Sequence, residues 1–307
     1  MYRIIINQRS DAKENSIVTI GNFDGMHLGH MQLFTKLNKI ANVQNLRRIV
    51  VTFEPLPLEY FADCKKEQRL ARLGLLRDKY LFLKNLGFID ELVIIRFNAS
   101  LCDLSPSQFT QQVLIKELKV THVVIGHDFR FGKNATGGKE DLLRHNIDVT
   151  TVEPYYIENN RVSSSIVRQF AMDNNLHSLK QYLGRNIHYT SRVVHGNHLG
   201  RKFGVPTINL CVGHNRPALW GIYIAYVYID GIRYNSVASI GKNPTISDMN
   251  IYKLEAHLLD VDLDLYGKIA TVEILEFLRL EQRFSDLNTL FVQIHRDLDN
   301  SREFFKG

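Results

Sequence analysis

The chain has 307 residues, 45% hydrophobic and 23% charged, a length that argues for two cores and a composition that excludes a disordered or fibrous protein. No apolar run approaches the roughly 18 residues of a membrane span, and MYRIIINQRS is too short an apolar stretch for a signal peptide, so a cytoplasmic protein with no membrane partner is expected. The formal charge of +6 suits an anionic partner, but the cations are scattered and phosphorylated small molecules account for it as well as nucleic acid does; Cys64, Cys102 and Cys211 have no zinc spacing.

The first half alternates two kinds of segment. SIVTIG (16–21), RIVVTFEP (48–55), DELVIIRF (90–97), THVVIGHDF (121–129) and DVTTVEP (148–154) are short β-branched runs of the kind that parallel sheets bury on both faces. Between them GHMQLFTKLNKIAN (29–42), RLARLGLLRDKYLFLKNLG (69–87) and SPSQFTQQVLIKEL (105–118) carry helical spacing, with Gly87 as a stop and Ser105-Pro106 as cap and first residue. Alternation of this kind predicts a doubly wound α/β domain that binds ligands beyond the carboxyl ends of its strands. From about residue 186 strands follow one another: SRVVHG (191–196), IYIAYVYIDGIRYNSVASIG (222–241), YKLEAHLLDV (252–261) and KIATVEILEFLRL (268–280). With Asp230-Gly231 as a hairpin turn, this half predicts an antiparallel barrel or sandwich. SDLNTLFVQIHRDLDNSREFF (285–305) closes the chain as an amphipathic helix with Ser285 as its cap and apolar residues at 287, 290, 291, 294 and 298.

Where the first strand gives way to the first helix, Gly21, Asn22, Phe23, Asp24, Gly25 and Gly29 surround His27 and His30. Glycines let backbone N–H groups approach a phosphate, and histidines three apart at a helix start share a face from which ring N–H donors can neutralise phosphate charge. Surface or capping histidines are the plainer alternative. A metal site lacks further ligands and the HExxH pattern, and GHDFRFGKN lacks the spacing of a P-loop. In HGNHLGRKFGVPTINL (195–210), Thr207 and Asn209 face one side of an extended segment, and that pair of oxygens suits Mg²⁺ together with substrate phosphates. A turn followed by an ordinary strand is the other reading.

GNFDGMHLGH resembles the HxGH signature of nucleotidylyltransferases, in the form found in bacterial bifunctional riboflavin kinase/FMN adenylyltransferases, also called FAD synthetases. FEPLPLEYF (53–61), VVIGHDFRFGKNATGG (123–138) and SSSIVR (163–168) follow in that family's order, and HGNHLGRKFGVPTINL resembles its kinase signature. The resemblance implies a Rossmann-like nucleotidylyltransferase domain with a parallel sheet over 1–182. A riboflavin-kinase-type antiparallel β-barrel closed by a C-terminal helix is implied over 183–307. It also implies ATP, riboflavin and FMN as substrates with Mg²⁺ as cofactor.

By that resemblance His27, His30 and Arg168 stabilise adenylyl transfer, while Ser164, Ser165 and Arg168 grip the triphosphate and Asp128 helps shape the nucleotide site. In the second half Gly196, Gly200, Arg201, Gly204 and Pro206 hold ATP, Thr207 and Asn209 hold Mg²⁺, and Glu255 is the catalytic base. Glu255, Arg279 and Phe284 lie near the flavin, with Glu281 in the same motif. The chain departs from the family pattern at Asn134, Ala135, Ser165, Ser191, Phe203, Val205 and Asn243. Tyr60 and Phe61 are guesses for the flavin site of the first half, and the plainer alternative for Glu255 is an outward polar residue on an alternating strand with Lys253 as its surface partner. Two other readings stand beside this one: a riboflavin kinase whose first half is silent, and a non-catalytic nucleic-acid binder. The binder is disfavoured because RRIVVTFEP and HGNHLGRKFG lack interleaved aromatic and basic residues, so no nucleic-acid partner is expected. Self-association is left open.

Overall fold

The computed structural model describes residues 1–6, 15–196, 204–212, 216–242, 252–261 and 263–307. Within them the chain forms two compact units, one of residues 1–70 and 79–164, the other of residues 71–78 and 165–307. The sequence reading divides the functional regions at 182/183.

The first unit is built on β1 (Tyr2–Ile5), β2 (Ser16–Ile20), α1 (Leu28–Gln44), β3 (Arg47–Glu54), α2 (Pro57–Lys65), α3 (Leu76–Asn85, from Lys79 on), β4 (Glu91–Arg96), α4 (Ala99–Cys102), α5 (Pro106–Phe109), β5 (Val120–Gly126), α6 (Lys139–Leu143), β6 (Asp148–Val152) and the hairpin of β7 (Tyr156–Ile157) with β8 (Asn160–Arg161). Its sheet runs β1-β4-β3-β2-β5-β6, parallel throughout except for β1. The five parallel strands are the five runs anticipated from sequence. Every residue of β2 is buried, as a central strand covered on both faces requires. β3 and β4 continue to one side of β2, while β5 and β6 lie on the other. That reversal opens a crevice beyond the carboxyl ends of β2 and β5, where the Gly21–His30 and Gly126–Asp128 segments fall.

One strand was not anticipated and one expected helix start is corrected. β1 carries no alternation to announce it; it exists because its backbone pairs antiparallel with β4 and Arg3 Nη2 reaches Glu91 Oε2 at 2.9 Å. The helix expected over 69–87 begins at Leu76, because Arg72 N donates to Arg216 O at 2.7 Å and Ala218 N donates to Arg72 O at 2.8 Å. A backbone paired sideways cannot also make helical bonds. Gly87 does end that helix in the left-handed region, at φ 72°. Ser105 caps α5 by accepting from Gln108 N at 3.2 Å, and the helix continues to Glu117 with π-type winding.

In the second unit, α7 (Ser164–Met172, from Ser165 on) and α8 (Leu176–Leu183) precede a closed six-stranded antiparallel barrel. Its strands are β9 (His188–Val194), β10 (Ile208–Leu210), β11 (Gly221–Ile229), β12 (Ile232–Lys242), β13 (Tyr252–Leu258) and β14 (Ile269–Arg279). The order β10-β13-β12-β11-β14-β9 closes through β9 and β10, so the barrel alternative holds and the sandwich does not. Leu254, Ala256, Ala238, Ile240, Val227 and Val272 fill the interior with no exposure, and their strand neighbours face outward. Asp230 and Gly231 take positive φ at the β11–β12 turn, as a two-residue hairpin needs. The closing helix α9 (Leu287–Phe304) is capped by Asp286, not Ser285: Asp286 Oδ1 accepts from Thr289 N at 2.8 Å, while Ser285 Oγ is spent donating to Asp286 at 2.8 Å.

Asp78 anchors the 71–78 segment inside this unit. Its two carboxylate oxygens accept from Leu75 N and Thr190 N, each at 2.7 Å. Burial pushes its carboxyl up to about 7, against the opposing pull of those amides and of Arg185. The folded state therefore keeps a proton that the unfolded chain has released, so stability falls as pH rises from about 4 to about 7 and levels off above. Urea denaturation across that range should show this slope, and Asp78→Asn should flatten it.

Candidate active sites

In the first unit His27 is the N-cap of α1, its Nδ1 accepting the His30 amide at 3.3 Å. With Nδ1 occupied as an acceptor, the neutral ring carries its proton on Nε2. The two imidazoles stack with centroids 3.6 Å apart, and the Phe23 ring stands edge-on to His30 at 5.1 Å. A Cβ on Gly29 would sit 3.2 Å from the His27 ring, so glycine there leaves room for the stack. The capping alternative thus holds for His27, and both histidines also line a cavity of about 360 Å³. Gly21, Asn22, Phe23, Gly29, Asp128 and Ser164 line it too. Asp24 is buried beneath it, and its carbonyl accepts from Ser164 Oγ at 3.2 Å, which ties the turn to the start of α7.

Asp128 is held by Arg161, whose Nη2 lies 2.6 Å from its Oδ2, and this contact keeps the Asp128 carboxyl below the usual range. Arg161 also lines the cavity and was missed from sequence; it lies two residues before the serine run that drew attention. Ser165 and Arg168 belong to the second unit, where Arg168 Nε donates to Ala71 O at 2.6 Å.

A second cavity of about 500 Å³ in the first unit is walled by Phe53, Phe61, Phe97, Phe109, Phe129 and Phe131. Phe61 was guessed from sequence; the guessed Tyr60 stands behind the wall, against Phe61 and Phe97. The other five come from four different stretches of chain, which no local pattern could join. Asn134 and Ala135 line the same cavity, and the nearby cation Lys133 pairs with Asp103 at 3.0 Å. The aromatic and histidine-lined cavities share Ile20, Gly21, Asn22 and Phe129 in their walls. A planar ring system in one and a nucleotide in the other would meet at the Gly21-Asn22 backbone.

On the outside of the barrel Asn209, Glu255 and Ser239 stand opposite one another across β10, β13 and β12. Side chains directly opposite share a face, so the three form a row. Lys253 Nζ lies 3.8 Å from Glu255 Oε1, as the shared strand face implied. Glu281 joins them, accepting from Ser239 Oγ at 3.5 Å; burial raises its carboxyl, with Lys253 opposing. An added Cβ on Gly196 would collide with the Asn209 carboxamide, so this glycine makes room for that side chain. Pro206 and Thr207 lead into β10, and Gly204 turns with φ 72°. Gly200, Arg201 and Asn243 lie outside the described residues. Arg279 is engaged by the closing helix: its Nη2 lies 2.7 Å from Asp297 Oδ2, its Nε contacts both oxygens at 3.1 Å, and Phe284 lies 5.8 Å from its guanidinium carbon.

A family model described as FAD synthetase matches residues 9–166, and one described as riboflavin kinase matches residues 183–305. The chain is 37% identical over 310 positions to a bifunctional riboflavin kinase/FMN adenylyltransferase of Escherichia coli (strain K12), spanning 99% of this chain and 97% of that protein. A protein of the same description from Pseudomonas fluorescens is 35% identical over 291 positions, spanning 93% and 92%. A solved structure from Streptococcus pneumoniae, described as a macrolide-efflux protein, shares the fold with a TM-score of 0.75 and 28% identity over 97% of each chain. No helix among the described residues is long and apolar enough to cross a membrane.

The Arg279–Asp297 pair is nearly buried, with side-chain exposures of 16% and 7%. Asp297→Ala would strand the guanidinium, and urea denaturation should show a loss of about 3–5 kcal/mol.

Proposed function

The chain belongs to the bifunctional riboflavin kinase/FMN adenylyltransferase family, and from that premise we propose how its residues divide the work. The C-terminal region phosphorylates riboflavin to FMN with ATP; the N-terminal region transfers the adenylyl group of a second ATP to FMN, giving FAD and pyrophosphate. The observation that carries the residue assignment is the pair of cavities that share the Gly21-Asn22 wall, one phenylalanine-lined and one histidine-lined. The isoalloxazine belongs in the first and ATP in the second. An FMN phosphate oxygen then attacks the α-phosphorus in line, and the bond to the bridging oxygen of pyrophosphate breaks.

His27 and His30 donate to the charge that develops on the phosphoryl oxygens, which needs no nucleophile from the protein. Gly21, Gly25 and Gly29 let backbone approach the phosphates, and Ser164 binds the triphosphate tail. Asp128 with Arg161 borders the nucleotide. In the second region Glu255 accepts the proton of the ribityl 5′-hydroxyl as that oxygen attacks the γ-phosphorus and ADP leaves. Gly196, Gly200, Arg201, Gly204 and Pro206 shape the ATP loop. Glu281, Arg279 and Phe284 border the flavin.

Mg²⁺ is part of the proposal. Thr207 and Asn209 flank buried Ile208 and so face one side, offering two neutral oxygens. Among the described residues no cluster of three or more His, Cys, Asp or Glu could hold a metal. A hard cation that takes most of its ligands from ATP phosphates and water fits such a donor set. When bound, it would neutralise phosphate charge. The functional regions follow the 1–182 and 183–307 division, the partners are small molecules and not nucleic acid or membrane, and the enzyme works in the cytoplasm.

Glu255→Ala should abolish FMN formation yet leave FAD formation from supplied FMN intact, and His30→Ala should do the reverse; equal loss of both in either variant would refute separate sites. Should the parent chain form FMN but no FAD, its first half is silent. Gly196→Ala, by displacing the Asn209 carboxamide, should raise the Mg²⁺ concentration needed for half-maximal FMN formation; an unchanged Mg²⁺ titration would remove Asn209 from the metal's ligands.

A further inference from the structure

Lys79 comes from an amphipathic helix, where a lysine ordinarily faces water, yet it is 3% exposed. Its Nζ donates to the Asn22 carbonyl at 2.6 Å and to Thr52 Oγ1 at 3.2 Å. Thr52, itself fully buried, donates onward to the same carbonyl at 3.2 Å. Two buried donors therefore converge on one backbone oxygen. Asn22 is one of the residues shared by the walls of both cavities, whereas neither Lys79 nor Thr52 lines either one.

We propose that Lys79 is a positioning residue for adenylyl transfer: it draws the Asn22 carbonyl into the protein and so presents the N–H of the same peptide to the reacting phosphates. A trans peptide is planar, with its carbonyl oxygen and its N–H on opposite sides. Fixing the Asn22 oxygen on the Lys79 side therefore sends the Phe23 N–H toward the other. Phe23 lines the histidine cavity, and its N–H has no hydrogen-bond partner among the described residues. The orientation matters electrostatically. Were this peptide to turn over, a carbonyl oxygen would face the point where two anionic substrates meet, and a donor would be lost there. The turn does not hold the orientation by propensity, since Phe23 and Met26 both sit at φ 46°, a region side-chain-bearing residues avoid. A buried ammonium is a strong anchor for such a peptide, because a charge-assisted hydrogen bond away from water is costly to give up.

The inference rests on the adenylyl-transfer reading of this site. Its test uses the full chain carrying Lys79→Met, which keeps the length of the side chain and removes the charge. FAD formation from supplied FMN should lose kcat by on the order of 10²-fold, with little change in the KM for FMN and none in FMN formation from riboflavin. A parental kcat in Lys79→Met, while His30→Ala abolishes FAD formation, overturns the role of Lys79 and leaves the site reading intact. FAD formation that survives His30→Ala overturns the site reading and this inference with it. Equal loss of both activities in Lys79→Met marks a structural lysine and also overturns it. If Lys79→Met fails to fold, Thr52→Val removes the second donor to the same carbonyl: a several-fold drop in kcat with the KM for FMN kept supports the proposal, and an unchanged kcat overturns it.

Discussion

What the first unit can do with a nucleotide depends on one helix start. The amides at the beginning of α1 need acceptors, and the His30 amide finds one in the His27 ring. That bond sets the imidazole's orientation and tautomer, and it brings the second imidazole into stacking contact. The strand before it is central and buried on both faces, which fixes the point from which the turn departs. Topology then supplies the crevice: because strand order reverses beside β2, the same turn lies between two cavities. Helix capping and sheet order thus meet in one short connection.

The barrel solves a different problem by the same economy. Alternation along its strands sends aliphatic residues inward and leaves the outer positions for polar side chains. Cross-strand register places Asn209, Glu255 and Ser239 in one row without any turn chemistry. The closing helix matters because its buried Asp297 occupies Arg279, which sequence comparison had grouped with flavin contacts. A guanidinium with a bidentate carboxylate partner is held in place.

Much of this was legible beforehand. The five parallel strands showed themselves as β-branched runs, since burial on both faces demands apolar residues throughout. Asp230-Gly231 announced a hairpin because few residues tolerate two positive φ values. The two signature stretches were visible as contiguous residues. The misses share a cause. β1 exists through its pairing with β4, α3 starts late because residues 216 and 218 capture the backbone at Arg72, and Asp286 displaces Ser285 because a carboxylate reaches the helix amides that the hydroxyl does not.

The sequence by itself determined the alternating α/β half and the β-rich half, because each is written in local spacing and residue type. Only the tertiary structure decided which aromatics wall the larger cavity, that Arg161 holds Asp128, and that Lys79 serves a backbone carbonyl and not solvent. Those facts depend on residues tens of positions apart meeting in space. A phenylalanine or a lysine in an amphipathic pattern reads the same whether its neighbour across the fold is water, a ring or a peptide oxygen.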